Sequence, residues 1–254
     1  MKIDIDDIGV NYICEGEGEN ILIVHGWGAN IDTVMPIFNH LKDRFKVYAI
    51  DLPGHGKSDQ PKDVWNSYDF ADITKKFIDA MNMKEVILIG HSHGGRVSII
   101  LANKYHELIK KMILIDSAGL IPKRTIKYYS KVYTFKTLKF LYNNMFFWTD
   151  SKERMEKFYK KFGSTDYREA SGIMRKIMVR VVNDNLRPLL GGIKASTLLI
   201  WGRDDDATPL YMGEIMEKEI KGSGLVVLDN AGHYSYLDQY SRFKVIIDSF
   251  LSSK

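Results

Sequence analysis

The apolar positions of this 254-residue chain fall into two rhythms. Six short runs, "ILIVHG" (21–26), "KVYAIDLPG" (46–54), "VILIGHS" (86–92), "MILIDSAG" (112–119), "TLLIWG" (197–202) and "LVVLDNAG" (225–232), each join a β-rich core to a glycine or small-residue exit. Their apolar character is continuous rather than alternating, which predicts strands buried on both faces, as in a parallel sheet. Between them, "FADITKKFIDAMNM" and "GRVSIILANKYHELI" place apolar residues at helical spacing. Strands alternating with helices through right-handed crossovers predict an α/β chain with an open, doubly wound sheet. The opening "MKIDIDDIGVNYICEGEGENILIV" reads as an antiparallel hairpin leading into the first buried strand.

Residues 121–190 lose this rhythm. They hold no buried strand run, and "YYSKVYTFKTLKFLYNNMFFW" is dense in aromatics and lysines. "DSKERMEKFYKKFG" and "SGIMRKIMVRVVNDNL" have helical spacing. A stretch this long is no ordinary connection. It reads as a helical insertion (121–190) in a core made of residues 1–120 and 191–254.

Composition narrows the class. With 45% hydrophobic and 27% charged residues, the chain resembles an ordinary soluble globular protein. "MKIDIDDIGV" has no apolar core of a signal peptide, and no apolar run approaches the ~20 residues of a membrane span. Cys14 is the only cysteine, so no internal disulfide can form, and the expected compartment is the cytoplasm. Net charge is +4, unevenly spread. Residues 121–190 hold sixteen lysines and arginines against six acids; the remainder holds 20 against 26. That excess reads either as a solvated helical face or as a basic cover that favours anionic acyl compounds. It carries no nucleic-acid motif, so no nucleic-acid partner is expected. Lysines interleaved with Tyr and Phe from Tyr128 to Trp148 suggest aromatics packing onto the core, with lipid contact as the other reading and no stable membrane insertion.

The chemistry concentrates in "GHSHGG", where Gly90-x-Ser92-x-Gly94 follows a predicted strand and precedes a predicted helix. A serine at such a sharp turn is held out as a nucleophile, and glycines two residues either side leave room for the turn. His91 and His93 flank it, but neighbours of an apex residue point away from its hydroxyl. As an H-x-H metal pair they lack a third ligand nearby in sequence. The preferred base is His233 in "LDNAGHYSYLD", on a loop at the carboxyl end of a predicted strand, where open α/β sheets build their sites. An ordinary surface-loop histidine is the plainer reading. A carboxylate must orient that imidazole. "WGRDDDATP" supplies Asp205, with Asp116 after "MILID" as its competitor. An oxyanion needs two N–H donors: that of His93, directly after the serine, and that of Trp27 in "HGWGAN".

Together "HGWG", "DLPGHGKSD", "GHSHGG", "WGRDDDATP" and "AGHYSYLD" resemble the α/β-hydrolase superfamily, in the branch with a helical lid. The resemblance covers essentially the whole chain. It implies that the insertion 121–190 is the lid, and that nucleophile, acid and base fall on Ser92, Asp205 and His233. Asp205 matches the aspartate of the family's G-x-x-D-x-x-x-P pattern. The residues after "HG" and after the nucleophile, Trp27 and His93, would supply the oxyanion amides. A serine at 92 separates the chain from dehalogenases and epoxide hydrolases of this fold, which carry aspartate there. Carbon–carbon bond hydrolases of ring-cleavage products are similar, but commonly carry tryptophan where this chain has Tyr234.

The expected protein is therefore a serine hydrolase of a small carboxylic ester or related acyl substrate, needing neither metal nor organic cofactor. The alternatives are a carbon–carbon bond hydrolase of a vinylogous diketone acid, an acyltransferase on the same triad, and a ligand-sensing protein that keeps the triad idle.

Overall fold

The computed structural model describes residues 1–123, 126–145 and 172–253. Eight strands form one sheet: β1 (Lys2–Ile5), β2 (Ile8–Glu15), β3 (Asn20–Val24), β4 (Lys46–Ile50), β5 (Val86–His91), β6 (Ile109–Ile115), β7 (Ser196–Gly202) and β8 (Ser223–Leu228). Their spatial order is β1-β2-β4-β3-β5-β6-β7-β8. The first two strands pair antiparallel, and β2 also meets β4 antiparallel; every other pairing is parallel. The expected opening hairpin is thus present. Its turn residues Asp6 and Asp7 both have positive φ (53° and 60°), the primed turn whose twist suits a two-residue hairpin.

The continuous apolar runs are explained by two cores, one on each face. Leu22, Val24, Leu88, Met112, Leu114, Leu199 and Trp201 face one. The alternate residues Ile21, Ile23, Ile87, Ile89, Ile113, Ile115 and Ile200 face the other. Helices α2 (Ser67–Ala80), α3 (His93–Lys104) and α6 (Tyr211–Glu219) cover the first face; α1 (Ile31–Leu41) and α8 (Tyr240–Ser252) cover the second.

Within 121–190, α4 (Ile126–Met145), α5 (Gly172–Val181) and a 3-10 turn (Arg187–Gly192) are helical, and the described residues there hold no strand. "DSKERMEKFYKKFG" lies outside the described residues. α5 buries Met174, Ile177 and Val181 in the first core, so this part of the segment is seated on the sheet layer. A short α7 (Ser235–Asp238) follows β8. No helix among the described residues is long and apolar enough to cross a membrane.

Two features aim this scaffold at one edge. The register aligns Val24, Gly90, Leu114 and Leu199 across β3, β5, β6 and β7, so the carboxyl ends of the four strands lie along one edge, with β7 running three residues further to Gly202. Helix capping also differs along the chain. The Asn30 side chain caps α1, and Asn66 with Asp69 forms a capping box on α2. α3 has no side-chain cap, and its first turn opens directly onto Ser92.

Candidate active site

Ser92 sits between β5 and α3 at φ 50° and ψ −110°, a conformation that disfavours any residue with a side chain, at a cost of about 1–3 kcal/mol. Its surroundings hold it there. The Ser92 N–H donates to Ile115 O (3.1 Å), and Ser92 O accepts from the N–H groups of Gly95 and Ala118 (3.0 Å each). The glycines of the motif are required by space. A Cβ on Gly94 would stand 2.0 Å from the Val24 carbonyl oxygen, and one on Gly95 would stand 1.9 Å from Ser117 Oγ. α3 therefore packs backbone-close against the ends of β3 and β6, which pushes Ser92 to the apex.

His233 lies on the loop after β8. Its Nε2 is 3.0 Å from Ser92 Oγ, and its Nδ1 is 2.9 Å from Asp205 Oδ2. A carboxylate only accepts, so Nδ1 carries the ring proton and Nε2 is left to accept from the serine hydroxyl. Asp205 leaves β7 through the turn that begins at Gly202. The N–H groups of Ala207 (2.8 Å) and Thr208 (2.9 Å) donate to its Oδ1, and Thr208 Oγ1 (2.7 Å) donates to its Oδ2. Burial pushes this carboxyl up, but the hydrogen bonds and charge of His233 and the Thr208 contacts outweigh it, and Asp205 stays below the usual carboxylate range. Asp204 and Asp206 are exposed.

Asp116 does not touch the imidazole. It is fully buried, and its two oxygens accept from Gly202 N–H (2.8 Å) and Ser235 N–H (3.0 Å). It ties the exit of the Asp205 strand to the loop that carries His233. Burial raises its carboxyl to about 7, against the pull of those donors. The two aspartates that sequence left in competition thus divide the work: one orients the ring, the other clamps the two loops together.

The flanking histidines turn away from the hydroxyl, as expected. His91 donates from Nε2 to His233 O (2.8 Å), and its ring packs on Tyr234 and Tyr236. His93 packs edge-on against Trp27 and Phe70 on the other side. Their rings lie in different neighbourhoods, and among the described residues no three His, Cys, Asp or Glu side chains gather as a metal site. The backbone N–H groups of His93, at the open first turn of α3, and of Trp27 have no backbone acceptor among the described residues. Gly26 brings the Trp27 loop close, since a Cβ there would lie 3.2 Å from Ser92 Cβ.

These groups line one cavity of about 320 Å³. Gly26, Trp27, Ser92, His93 and His233 form its floor and one wall; Leu120, Met178, Val181, Val182 and Met212 make the remainder largely apolar. Sequence reasoning passed over two polar residues here. Thr208 was readable in "WGRDDDATP", three positions after the acid. Arg96 was readable in the same motif, four positions after Ser92.

The chain matches the family model for the alpha/beta hydrolase fold over residues 19–240. It is 26% identical over 271 residues to a 2-hydroxy-6-oxo-6-phenylhexa-2,4-dienoate hydrolase of Comamonas testosteroni, across 99% of this chain and 94% of that one. Among solved structures it resembles the enol-lactonase of Burkholderia xenovorans LB400 (TM-score 0.77, 21% identity, all of both chains). It also resembles a meta-cleavage product hydrolase of Pseudomonas fluorescens IP01 (TM-score 0.75, 21% identity, 99% and 97% of the two chains). The strained serine turn, the parallel sheet that presents it and a family match over most of the sequence lead to one statement: this chain belongs to the alpha/beta hydrolase family.

Proposed function

We propose that the protein is a serine hydrolase that cleaves a small carboxylic ester or related acyl compound through an acyl-enzyme. The observation that carries this reading is the unbroken relay from Ser92 Oγ to His233 Nε2 (3.0 Å) and from His233 Nδ1 to Asp205 Oδ2 (2.9 Å), opening onto an apolar cavity. His233 takes the Ser92 proton as Oγ attacks the substrate carbonyl carbon. The carbonyl electrons move onto oxygen, where the N–H groups of Trp27 and His93 receive the charge. Each such donor is worth roughly 10²–10³ in rate. The imidazolium, paired with Asp205, then protonates the departing alkoxide. In the second half His233 deprotonates a water whose oxygen bonds to the acyl carbon, the acyl–Oγ bond breaks as the imidazolium returns its proton to Ser92 Oγ, and the acid leaves. In this reading the insertion 121–190 is the lid; of its described residues, Met178, Val181 and Val182 line the cavity.

A second reading is favoured by one observation. A relative similar over 99% of this chain is named as a hydrolase of a dienoate, which points to carbon–carbon bond cleavage on the same triad. The two readings separate in one experiment. Purified protein is offered a panel of aryl and alkyl esters beside a dienol ring-cleavage acid. Ester turnover without dienol-acid turnover supports the first reading. Dienol-acid turnover with the larger kcat/KM replaces it with the second. No turnover of either, with Ser92 unlabelled by a fluorophosphonate, overturns both.

A further inference from the structure

Arg96 is a buried charge that forms no ion pair among the described residues. Its side chain is 5% exposed, and among the described residues no carboxylate lies within ion-pairing distance. Among the described residues one of its five donors is used, Nη1 to the Asp184 carbonyl oxygen (2.9 Å). The Asp184 carboxylate turns elsewhere, with Oδ2 accepting from Ser67 N–H (2.8 Å). Burying a cation costs far more than one neutral acceptor returns, which leaves the guanidinium under-compensated. Arg96 lines the same cavity as Ser92. It lies in the first turn of α3, four residues after Ser92. Burial lowers its guanidinium to about 10, against the weaker pull of the Asp184 charge, and it stays protonated at neutral pH. Its remaining donors are not sealed in protein, since none of them is among the fully buried polar atoms that lack a partner. The cavity lining includes the apolar Leu120, Met178 and Val181, which lowers the local dielectric and strengthens any ion pair formed there.

We infer that Arg96 anchors a carboxylate at the far end of the substrate, so that the acyl compounds cleaved at Ser92 are half-esters or analogous acids carrying a free carboxylate a few bonds from the scissile carbonyl. This rests on the serine-hydrolase reading for the chemistry but not for the binding. A planar fork matches a carboxylate with two parallel hydrogen bonds, which a terminal amide of the same shape cannot reproduce.

The experiment compares monophenyl glutarate and monophenyl adipate with their terminal-amide isosteres, following phenol release. In the wild-type protein kcat/KM should favour the carboxylate by about tenfold or more, mostly through KM, as expected for a charge-assisted pair. In Arg96→Gln that ratio should fall to about one or below, and Arg96→Lys should retain part of it, as expected of a point charge that lacks the fork. A wild-type ratio near one, or a ratio unchanged by Arg96→Gln, overturns the assignment and leaves Arg96 as a strut for the Asp184 loop. Should Arg96→Gln fail to fold, binding to Ser92→Ala decides by thermal shift. Monophenyl adipate should raise its Tm more than the amide does, and equal shifts overturn the proposal. Phenyl acetate turnover and fluorophosphonate labelling report on the hydrolase reading alone. If both are absent while Ser92→Ala still prefers the carboxylate, the chemistry is wrong and the anchor stands.

Discussion

Replacing Asp205 with asparagine tests the relay at its least obvious joint, because the structure fixes which way the amide must turn. Oδ1 accepts from two backbone N–H groups, those of Ala207 and Thr208. An NH2 group there would face two donors, so the carbonyl oxygen of the new amide takes that place. The NH2 group then occupies the Oδ2 position, 2.9 Å from His233 Nδ1. It donates to Nδ1, which must give up its proton; the proton moves to Nε2 and points at Ser92. The base is lost while the shape is kept. Thr208 can adapt, since its hydroxyl also lies 3.0 Å from the Asp116 carbonyl oxygen and can donate there. The expected loss in kcat is ~10⁴-fold, the size known for this tautomer change in a serine triad, or about 5 kcal/mol of barrier. The assay is p-nitrophenyl acetate hydrolysis and the rate of fluorophosphonate labelling, with thermal melts to show an intact fold. Asp204→Asn and Asp206→Asn, both exposed, serve as controls and should stay close to wild type. An Asp205→Asn enzyme within tenfold of wild type, or an Asp116→Asn enzyme that is folded but down ~10⁴-fold, would refute the reasoning.

Ser92→Ala and His233→Ala should each remove nearly all turnover, and the double variant should lose little more, because groups that act as a unit do not contribute additively; near-wild-type hydrolysis by Ser92→Ala would end the serine mechanism. Asp116→Asn should lower stability in denaturant titrations by about 1–3 kcal/mol, since one of the two amides that Asp116 holds is left facing an NH2 group. The pH dependence of that variant has a defined sign. With its folded carboxyl near 7 and the free value near 4, Asp116 holds a proton between those limits that the unfolded chain has released. Its contribution should therefore shrink as pH rises through that window, and a wild-type-minus-variant difference that grows with pH contradicts this. Finally, the basic excess of residues 121–190 and the Arg96 pocket predict opposite responses to salt. Steering by exposed lysines is screened beyond ~8 Å at physiological ionic strength, so any part of the carboxylate preference lost at high salt belongs to that segment, and the part that persists belongs to the buried guanidinium.

The fold was legible because two-sided burial writes itself as continuous apolar runs. Ile21 and Leu22 face opposite cores, and so do Ile113 and Leu114, which is why neither strand could alternate. Legibility failed where two patterns share residues. "GRVSIILANKYHELI" carries helical spacing to Ile109, yet α3 stops at Lys104, and Ile109 pairs with Val86 as the first residue of β6. α1 went unread, and it carries Pro36 inside it, a residue that disfavours a helix interior. At the site, glycine spacing announced the serine turn, and strand exits announced Asp205 and His233. Asp116 could be ranked below Asp205 from sequence, but its clamp could not be seen, because its partners are backbone N–H groups of Gly202 and Ser235. Arg96 escaped for a similar reason. Its meaning lies in the carboxylate it lacks, and sequence shows residues rather than missing partners.

Five histidines crowd the first core and the serine, yet geometry and solvation leave one as a base. His25 accepts the Leu52 N–H at Nε2 (3.0 Å) and donates from Nδ1 to Gly26 O (2.7 Å), which fixes a neutral ring; burial brings it down to about 4. His55, stacked edge-on against Trp27, is lowered by burial as well. His91 spends its one ring N–H on the His233 carbonyl, and burial lowers it to about 3. His93 has no hydrogen-bond partner at either nitrogen among the described residues, and burial next to the Arg96 charge keeps it neutral far below the ordinary range. A proton taken from Ser92 must rest on a ring whose charged form is paired, and of these five only His233 has a carboxylate at its second nitrogen. The four silent rings are apolar walls with a polar edge. They hold loops and stay neutral, so in the proposed mechanism the proton goes to the ring that Asp205 supports.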